Sequence, residues 1–292
     1  MIRATPSTWA QRVKTTQAIM SAAWHILRQD TQLLLLPVAS SACLLVLTAS
    51  WAIPVLFGGS SGPLWPASIR TSETTSSIGA FLFYVTTYVG VIFFNAALAC
   101  CILRKLEGKP VSILAGLQEA AGLFPQILGW ALLSATVGMM LKTIERRSGF
   151  IGGLVTKMLG VTWTVVTFLV VPVLVAERVG PIDAVRESAQ LLRQRWGEDL
   201  LAGLGFGALY FLWTIPGMVA FLLGASMIST HSLMAITIMV LAFLYFPFLG
   251  LVLSTLSTIF DVVLYRYAKR GTIGSSFDRD LLESAFVLKS TR

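Results

Sequence analysis

Apolar runs of about twenty residues alternate along this chain with short segments whose apolar residues recur at three- and four-residue steps. The clearest pair lies between Met158 and Asp199. An apolar run from Met158 to Ala176, interrupted by Pro172, stops abruptly at Glu177-Arg178, and Gly180-Pro181 opens a second helix. There Ile182, Val185, Ala189, Leu192 and Trp196 keep helical spacing, with Arg186, Glu187, Arg193 and Arg195 around the other side. The pattern predicts a spanning helix that feeds a helix at the membrane surface.

The same alternation orders the rest of the chain. From Trp9 to Arg28 the residues Trp9, Val13, Met20, Trp24 and Leu27 fall near one helical face, which predicts an interfacial helix with its tryptophans at headgroup level. Spans are predicted at 33–57, 78–103, 127–141, 158–176, 200–223 and from Leu233 to about Tyr267. The third is short, and a re-entrant hairpin is its alternative. The last exceeds bilayer thickness and must tilt or project into water. Pro110 to Phe124 reads as a weakly amphipathic helix ended by Pro125, and Gly149, Gly152 and Gly153 mark a break before the fourth span. Pro216-Gly217 predicts a kink in the fifth.

Composition agrees with this reading and narrows it. Hydrophobic residues make up 55% of the 292 and charged residues 12%, while mean hydropathy is +0.78. A soluble domain has about a quarter of its residues charged, so this chain has too little polar surface to be one. The expected fold is all-α, a polytopic membrane protein with six transmembrane helices plus interfacial amphipathic helices. Residues 1–30 form the N-terminal interfacial helix, 31–268 the transmembrane domain and 269–292 a charged cytoplasmic tail. No apolar core precedes a small-residue cleavage site in the first thirty residues, so the first span is expected to act as an uncleaved signal.

The net charge of +8 follows the positive-inside rule more simply than it follows nucleic-acid binding, since no Lys/Arg cluster is interleaved with stacking aromatics. On the N-terminal side fall Arg3, Arg12, Lys14, Arg28, Arg104, Lys105, Lys109, Arg178, Arg186, Arg193, Arg195 and the basic residues of the C-terminal segment. The other side holds Arg70, Lys142, Arg146, Arg147 and Lys157. Both termini are therefore expected in the cytoplasm, in a multi-pass protein of the cell inner membrane. Placing Pro110 on Pro181 also brings two copies of span, charged break, surface helix and span into register. Leu27-Arg28-Gln29 echoes Leu192-Arg193-Gln194 before the first and fifth spans. Divergent duplication and convergent helix chemistry both produce such a pattern.

Polar residues inside spans are the candidate chemistry. Ser254, Thr258, Asp261 and Tyr265 share one face of the last span; Tyr84, Tyr88 and Asn95 share one side of the second, with Thr87 nearby; Thr156, Thr164 and Thr167 lie in the fourth. Asn95, Thr164, Thr258, Asp261 and Tyr265 are the candidates for a polar cavity or for ties between helices. Serine and threonine more often tie membrane helices together than line a path. For Asp261 a buried tie, with Arg104 or Lys105 as partner, ranks above a proton relay. Gly203 and Gly207 form a small-residue packing face. Trp24, Trp196, Arg193 and Arg195 are the expected interfacial anchors. Cys43, Cys100 and Cys101 sit in apolar runs as small hydrophobes. His25 and His231 lack the spacing of a zinc site, and no nucleophile elbow or phosphate loop is present. No cofactor, metal or catalytic residue is expected.

Several runs also carry a resemblance. They are Trp24-His25-Ile26-Leu27-Arg28-Gln29-Asp30, Phe93-Phe94-Asn95-Ala96-Ala97-Leu98, Ala135-Thr136-Val137-Gly138 and Val170-Val171-Pro172-Val173-Leu174-Val175. Gly180-Pro181, Ser188, Leu191-Leu192-Arg193, Trp196-Gly197-Glu198 and Leu264-Tyr265-Arg266-Tyr267-Ala268 add to them, as do Phe277-Asp278, Leu281-Leu282 and Ala285-Phe286. Over nearly its full length the chain resembles a family of six-span bacterial and archaeal membrane proteins catalogued as a domain of unknown function. More distantly it is similar to the membrane domain of some glycerophosphodiester phosphodiesterases. The resemblance implies the topology and brings no catalytic residue and no substrate.

The leading functional expectation is a non-enzymatic integral membrane protein, acting as a scaffold or as an accessory or lipid-interacting subunit. Its partners would be membrane lipids and either a second copy or another membrane protein, with no nucleic acid. The alternative is a transporter or channel whose polar cavity is lined by residues of spans 2, 4 and 6. The topology is testable with Arg147→Cys in a background without native cysteines. An impermeant thiol reagent should label it from outside intact cells, and labelling from the cytoplasmic side alone would overturn the six-span orientation.

Overall fold

The computed structural model describes residues 23–24, 26–57, 73–147, 150–195, 205–228 and 232–270. After a 3-10 turn at Thr31–Leu34 come α1 (Leu35–Phe57), α2 (Glu73–Leu106), α3 (Ile113–Gly122), α4 (Phe124–Arg147) and α5 (Phe150–Val166). The chain continues through α6 (Val170–Glu177), α7 (Pro181–Arg195), α8 (Gly205–Ser226) and α9 (Ser232–Arg270). No strand occurs among the described residues. Five helical stretches are long and apolar enough to cross a bilayer: Thr31–Trp51, Phe81–Leu106, Phe124–Glu145, Gly152–Glu177 and Ser232–Arg266. A shorter apolar stretch, Phe211–Ser226, lies in α8. The chain is an all-α polytopic membrane protein.

It divides into two compact units, residues 35–190 and residues 1–34 with 191–292. The axis of the first unit is α2, which packs against α1, α3, α4 and α6. Its turns from Ala96 to Ile102 are buried all round, each residue at most 1% exposed. Most of these side chains are small. Lipid offers no hydrophobic drive for helices to associate, so small residues that let backbones approach closely do that work. A Cβ on Gly116 of α3 would collide with Cys101 Sγ and lie 2.9 Å from the Ala97 carbonyl oxygen. Beside this contact Cys101 Sγ donates to the Ser112 carbonyl at 3.5 Å, and an Arg104–Glu119 ion pair of 2.7 Å fastens the end of α2 to α3.

Three boundaries differ from the sequence expectation. First, α3 starts at Ile113 rather than at Pro110. Ser112 is its N-cap and its hydroxyl accepts from the Ala115 N–H at 3.3 Å, satisfying a donor that a proline upstream cannot reach. Second, the third span is not short. Pro125 is the second residue of α4, where its missing N–H costs nothing, and the apolar helix runs 22 residues from Phe124 to Glu145. Third, Gly152 and Gly153 lie inside α5, while Gly149 lies outside the described residues, and the interruption expected near Pro172 falls at 167–169. Pro172 explains the position, because it has no N–H for the Phe168 carbonyl and its ring crowds that group. Trp130 of α4 and Trp163 of α5 stack with centroids 6.0 Å apart.

In the second unit α8 and α9 form an antiparallel pair, and the 3-10 turn packs on α9. At 39 residues, α9 is roughly 58 Å long at 1.5 Å per residue, well beyond the ~30 Å hydrocarbon core, as its length predicts. From Leu233 to Phe248 it exposes Leu233, Ile236, Val240, Phe243, Leu244 and Phe248. From Leu256 to Ala268 most of its residues are buried. Pro216 lies inside α8, and the Tyr245 hydroxyl donates to the Trp213 carbonyl at 2.6 Å, in the turn a proline weakens.

The close approach of α3 to α2 gives a direct test. Gly116→Val should lower stability in detergent by about 1–3 kcal/mol through overpacking, read as a fall in the thermal unfolding midpoint. Gly122→Val, at a glycine with open space around it, should serve as the mild control.

Candidate functional site

The fourth span cannot be broken without consequence. In a bilayer every backbone N–H and C=O must find a partner in the protein. At the break, Thr167 N–H donates to the Trp163 carbonyl at 2.9 Å, Phe168 N–H to Val165 at 3.2 Å and Val170 N–H to Thr167 at 3.1 Å. Besides the Phe168 carbonyl, which Pro172 cannot serve, the Val166 carbonyl and the Leu169 N–H are left without these bonds. Ser188 of α7 serves these last two: its hydroxyl donates to Val166 O at 2.7 Å and accepts from Leu169 N at 3.2 Å. Ser188 is fully buried.

This contact sets the rotation of α7. Ala184, Ser188, Leu191 and Leu192 are buried, while Ile182 is 59% exposed and Asp183, Arg186, Gln190 and Arg193 are exposed. Of the stripe that spacing picks out, Leu192 is buried, Val185 and Ala189 are half-buried and Ile182 is exposed, while Trp196 lies outside the described residues. The inner face is shifted from that stripe toward Ala184, Ser188 and Leu191. Pro181 packs toward α4, where a Cβ on Gly129 would come within 3.2 Å of its ring.

The sequence candidates are distributed between the two units. Asn95 is half-buried on α2, and Thr164 is exposed on α5 with its hydroxyl donating to Gly160 O at 2.9 Å. On α9, Thr258 donates to Ser254 O at 3.0 Å, and Tyr265 is buried. Thr156 and Thr167 likewise bond to carbonyls of their own helix. These threonines close hydrogen bonds locally and bridge no helices through them. Arg104, considered as a partner for Asp261, pairs with Glu119, and Asp261 Oδ1 is buried and accepts no hydrogen bond. Arg266 Nε, on the same helix, is also buried without a hydrogen-bond partner.

Trp24 is 46% exposed beside buried Ala23, Ile26 and Leu27, and Arg193 is exposed. Trp196 and Gly203 lie outside the described residues, as do the surroundings of Gly207 and Arg195. The described close packing between α8 and α9 uses other small residues. A Cβ on Gly217 would meet the Tyr245 ring at 2.5 Å, and one on Gly224 would meet Met239 Cγ at 2.8 Å and the Ala235 carbonyl oxygen at 3.1 Å. The signal was present as Gly217 and Gly224, two turns apart, facing Ala235 and Ala242 at the same spacing. A groove of about 320 Å³ beside this contact is lined by Pro216, Gly217, Ala220, Ile238, Leu241, Ala242 and Tyr245, and contains none of the polar candidates. Among the described residues no three His, Cys, Asp or Glu converge as metal ligands.

A family model described as "Family of unknown function (DUF6159)" matches residues 75–275. The chain belongs to this family. The match covers every helix from α2 to α9, so the Ser188 contact and the α8–α9 pair fall within the family's own region. No curated protein and no solved structure matches the chain, and the likeness to the phosphodiesterase membrane domain carries no further argument.

Ser188→Ala should strand two backbone groups inside the span and cost about 1–3 kcal/mol, read as a lower unfolding midpoint. Ser188→Cys, which retains a weak donor and acceptor, should recover part of the loss. An unchanged midpoint in Ser188→Ala would show that the break is satisfied without it.

Proposed function

We propose that this protein is a non-enzymatic scaffold or accessory subunit of the cell inner membrane, with both termini in the cytoplasm, that works through contacts with lipids and with a second copy or another membrane protein. The observation that carries this reading is the position of α7. Its inner face is pinned to the fourth span by Ser188. Its outer face presents Ile182, Arg186, Gln190 and Arg193, a mixed apolar and basic surface suited to the headgroup layer. A helix held so firmly on one side serves better as a fixed contact surface than as a moving part. The locally bonded threonines of the spans favour the same reading, since their hydroxyls are already engaged with backbone.

Transport is the second reading, and one observation favours it. A carboxylate oxygen buried without a hydrogen bond is costly in a membrane-spanning helix, and residues of this kind mark ion and proton paths by default. Asp261 is that residue. Reconstitution separates the two. Proteoliposomes of the wild type are expected to show no ion or proton flux above empty vesicles, while the purified protein retains bound lipid. Flux that disappears in Asp261→Asn, with folding unchanged, would replace the scaffold reading with transport.

A further inference from the structure

Among the described residues Arg178 alone, apart from glycine, has a positive φ, at 55°. It closes α6 in the left-handed conformation, its N–H donating to the Leu174 carbonyl at 3.1 Å. Glycine takes this position without strain, whereas any Cβ makes it costly. The arginine side chain is exposed and makes no ion pair among the described residues. The backbone cap bond offsets part of the strain, no ion pair of the side chain among the described residues adds to that offset, and strain of this kind points toward function.

Its surroundings indicate which function. Arg178 caps the end of α6, a helix that packs against α2, and Arg104 lies in the last turn of α2. Arg104 is held by Glu119 through Nη1 at 2.7 Å, while its Nε has no hydrogen-bond partner. The ends of α2 and α6 thus carry two guanidinium groups, Arg104 paired with Glu119 and Arg178 next to Glu177 in the chain. Both apolar stretches stop here, at Leu106 and Glu177, and the ends of such stretches are where basic side chains meet lipid phosphates. We propose that Arg178, with Arg104 behind it, binds the phosphate of an anionic phospholipid headgroup. Arginine suits this because its planar fork donates two parallel hydrogen bonds to phosphate oxygens. The proposal rests on the lipid-contact part of the reading above and names the lipid class and the residue.

The competing account is a cation that merely complements the carbonyl end of α6. Delipidated wild type, Arg178→Lys and Arg178→Gly in neutral detergent, with added phosphatidylglycerol, phosphatidylcholine or inorganic phosphate, separate the two by thermal unfolding. Arg178→Gly is expected to melt at or above the wild type without lipid, because the strain is gone. Phosphatidylglycerol should raise the wild-type midpoint, raise that of Arg178→Lys less, and leave Arg178→Gly unmoved; phosphatidylcholine and phosphate should raise none. A full phosphatidylglycerol shift in Arg178→Gly, no phosphatidylglycerol shift in the wild type, or a lower lipid-free midpoint for Arg178→Gly would overturn the proposal. So would a wild-type shift with inorganic phosphate alone. The broader reading fails separately, if the wild type binds no lipid and associates with no membrane protein, itself included.

Discussion

An unpaired backbone N–H or C=O in the hydrocarbon layer costs several kcal/mol, and this constraint shapes the first unit. Pro172 breaks the fourth span because a proline can neither donate to the turn before it nor fit against it. The break would be untenable without an outside partner, and Ser188 supplies donor and acceptor together. From that one contact follow the rotation of α7, the burial of Ala184 and the exposure of Ile182 and the arginines. A helix that looks in sequence like a surface element is therefore bound into the span it follows.

Elsewhere helices meet through absent side chains. Gly116 lies on Ala97 and Cys101 in one unit, and Gly217 and Gly224 lie on Tyr245, Met239 and Ala235 in the other. With lipid as apolar as leucine, association rests on close packing, and a glycine at the crossing lets more atoms reach contact distance. Hydroxyls contribute less to this than their number suggests. Thr156, Thr164, Thr167 and Thr258 all bond to their own helix, and specificity comes from shape. The exceptions, Ser188 and Tyr245, both act where a proline disturbs the backbone ladder.

Charge collects where the spans end. Arg104 with Glu119, Lys109 with Glu107 and Arg186 with Asp183 form pairs there, and the partly buried Arg104 pair also joins two helices. Arg178 stands apart as strained, exposed and outside any ion pair among the described residues. Asp261 departs from the general pattern in the opposite sense, as a carboxylate placed within a span with one oxygen lacking a hydrogen bond. These two residues distinguish a lipid contact from a transport path.

The sequence by itself determined the fold class and the approximate positions of the five helical stretches long and apolar enough to cross a bilayer. A run of about twenty apolar residues has few other stable outcomes in a bilayer, and α7 was legible because its start at Gly180-Pro181 and its polar face are local features. The family likeness also lay in local runs, and the match over residues 75–275 bears it out. What only the tertiary structure decided were the pairings: Ser188 with the break at 167–169, Arg104 with Glu119, Gly217 and Gly224 against α9. Periodicity shows which residues share a face, but in a membrane both lipid-facing and helix-facing surfaces are apolar. The face a helix turns inward is set by which small residues and unsatisfied backbone groups its neighbours bring to it.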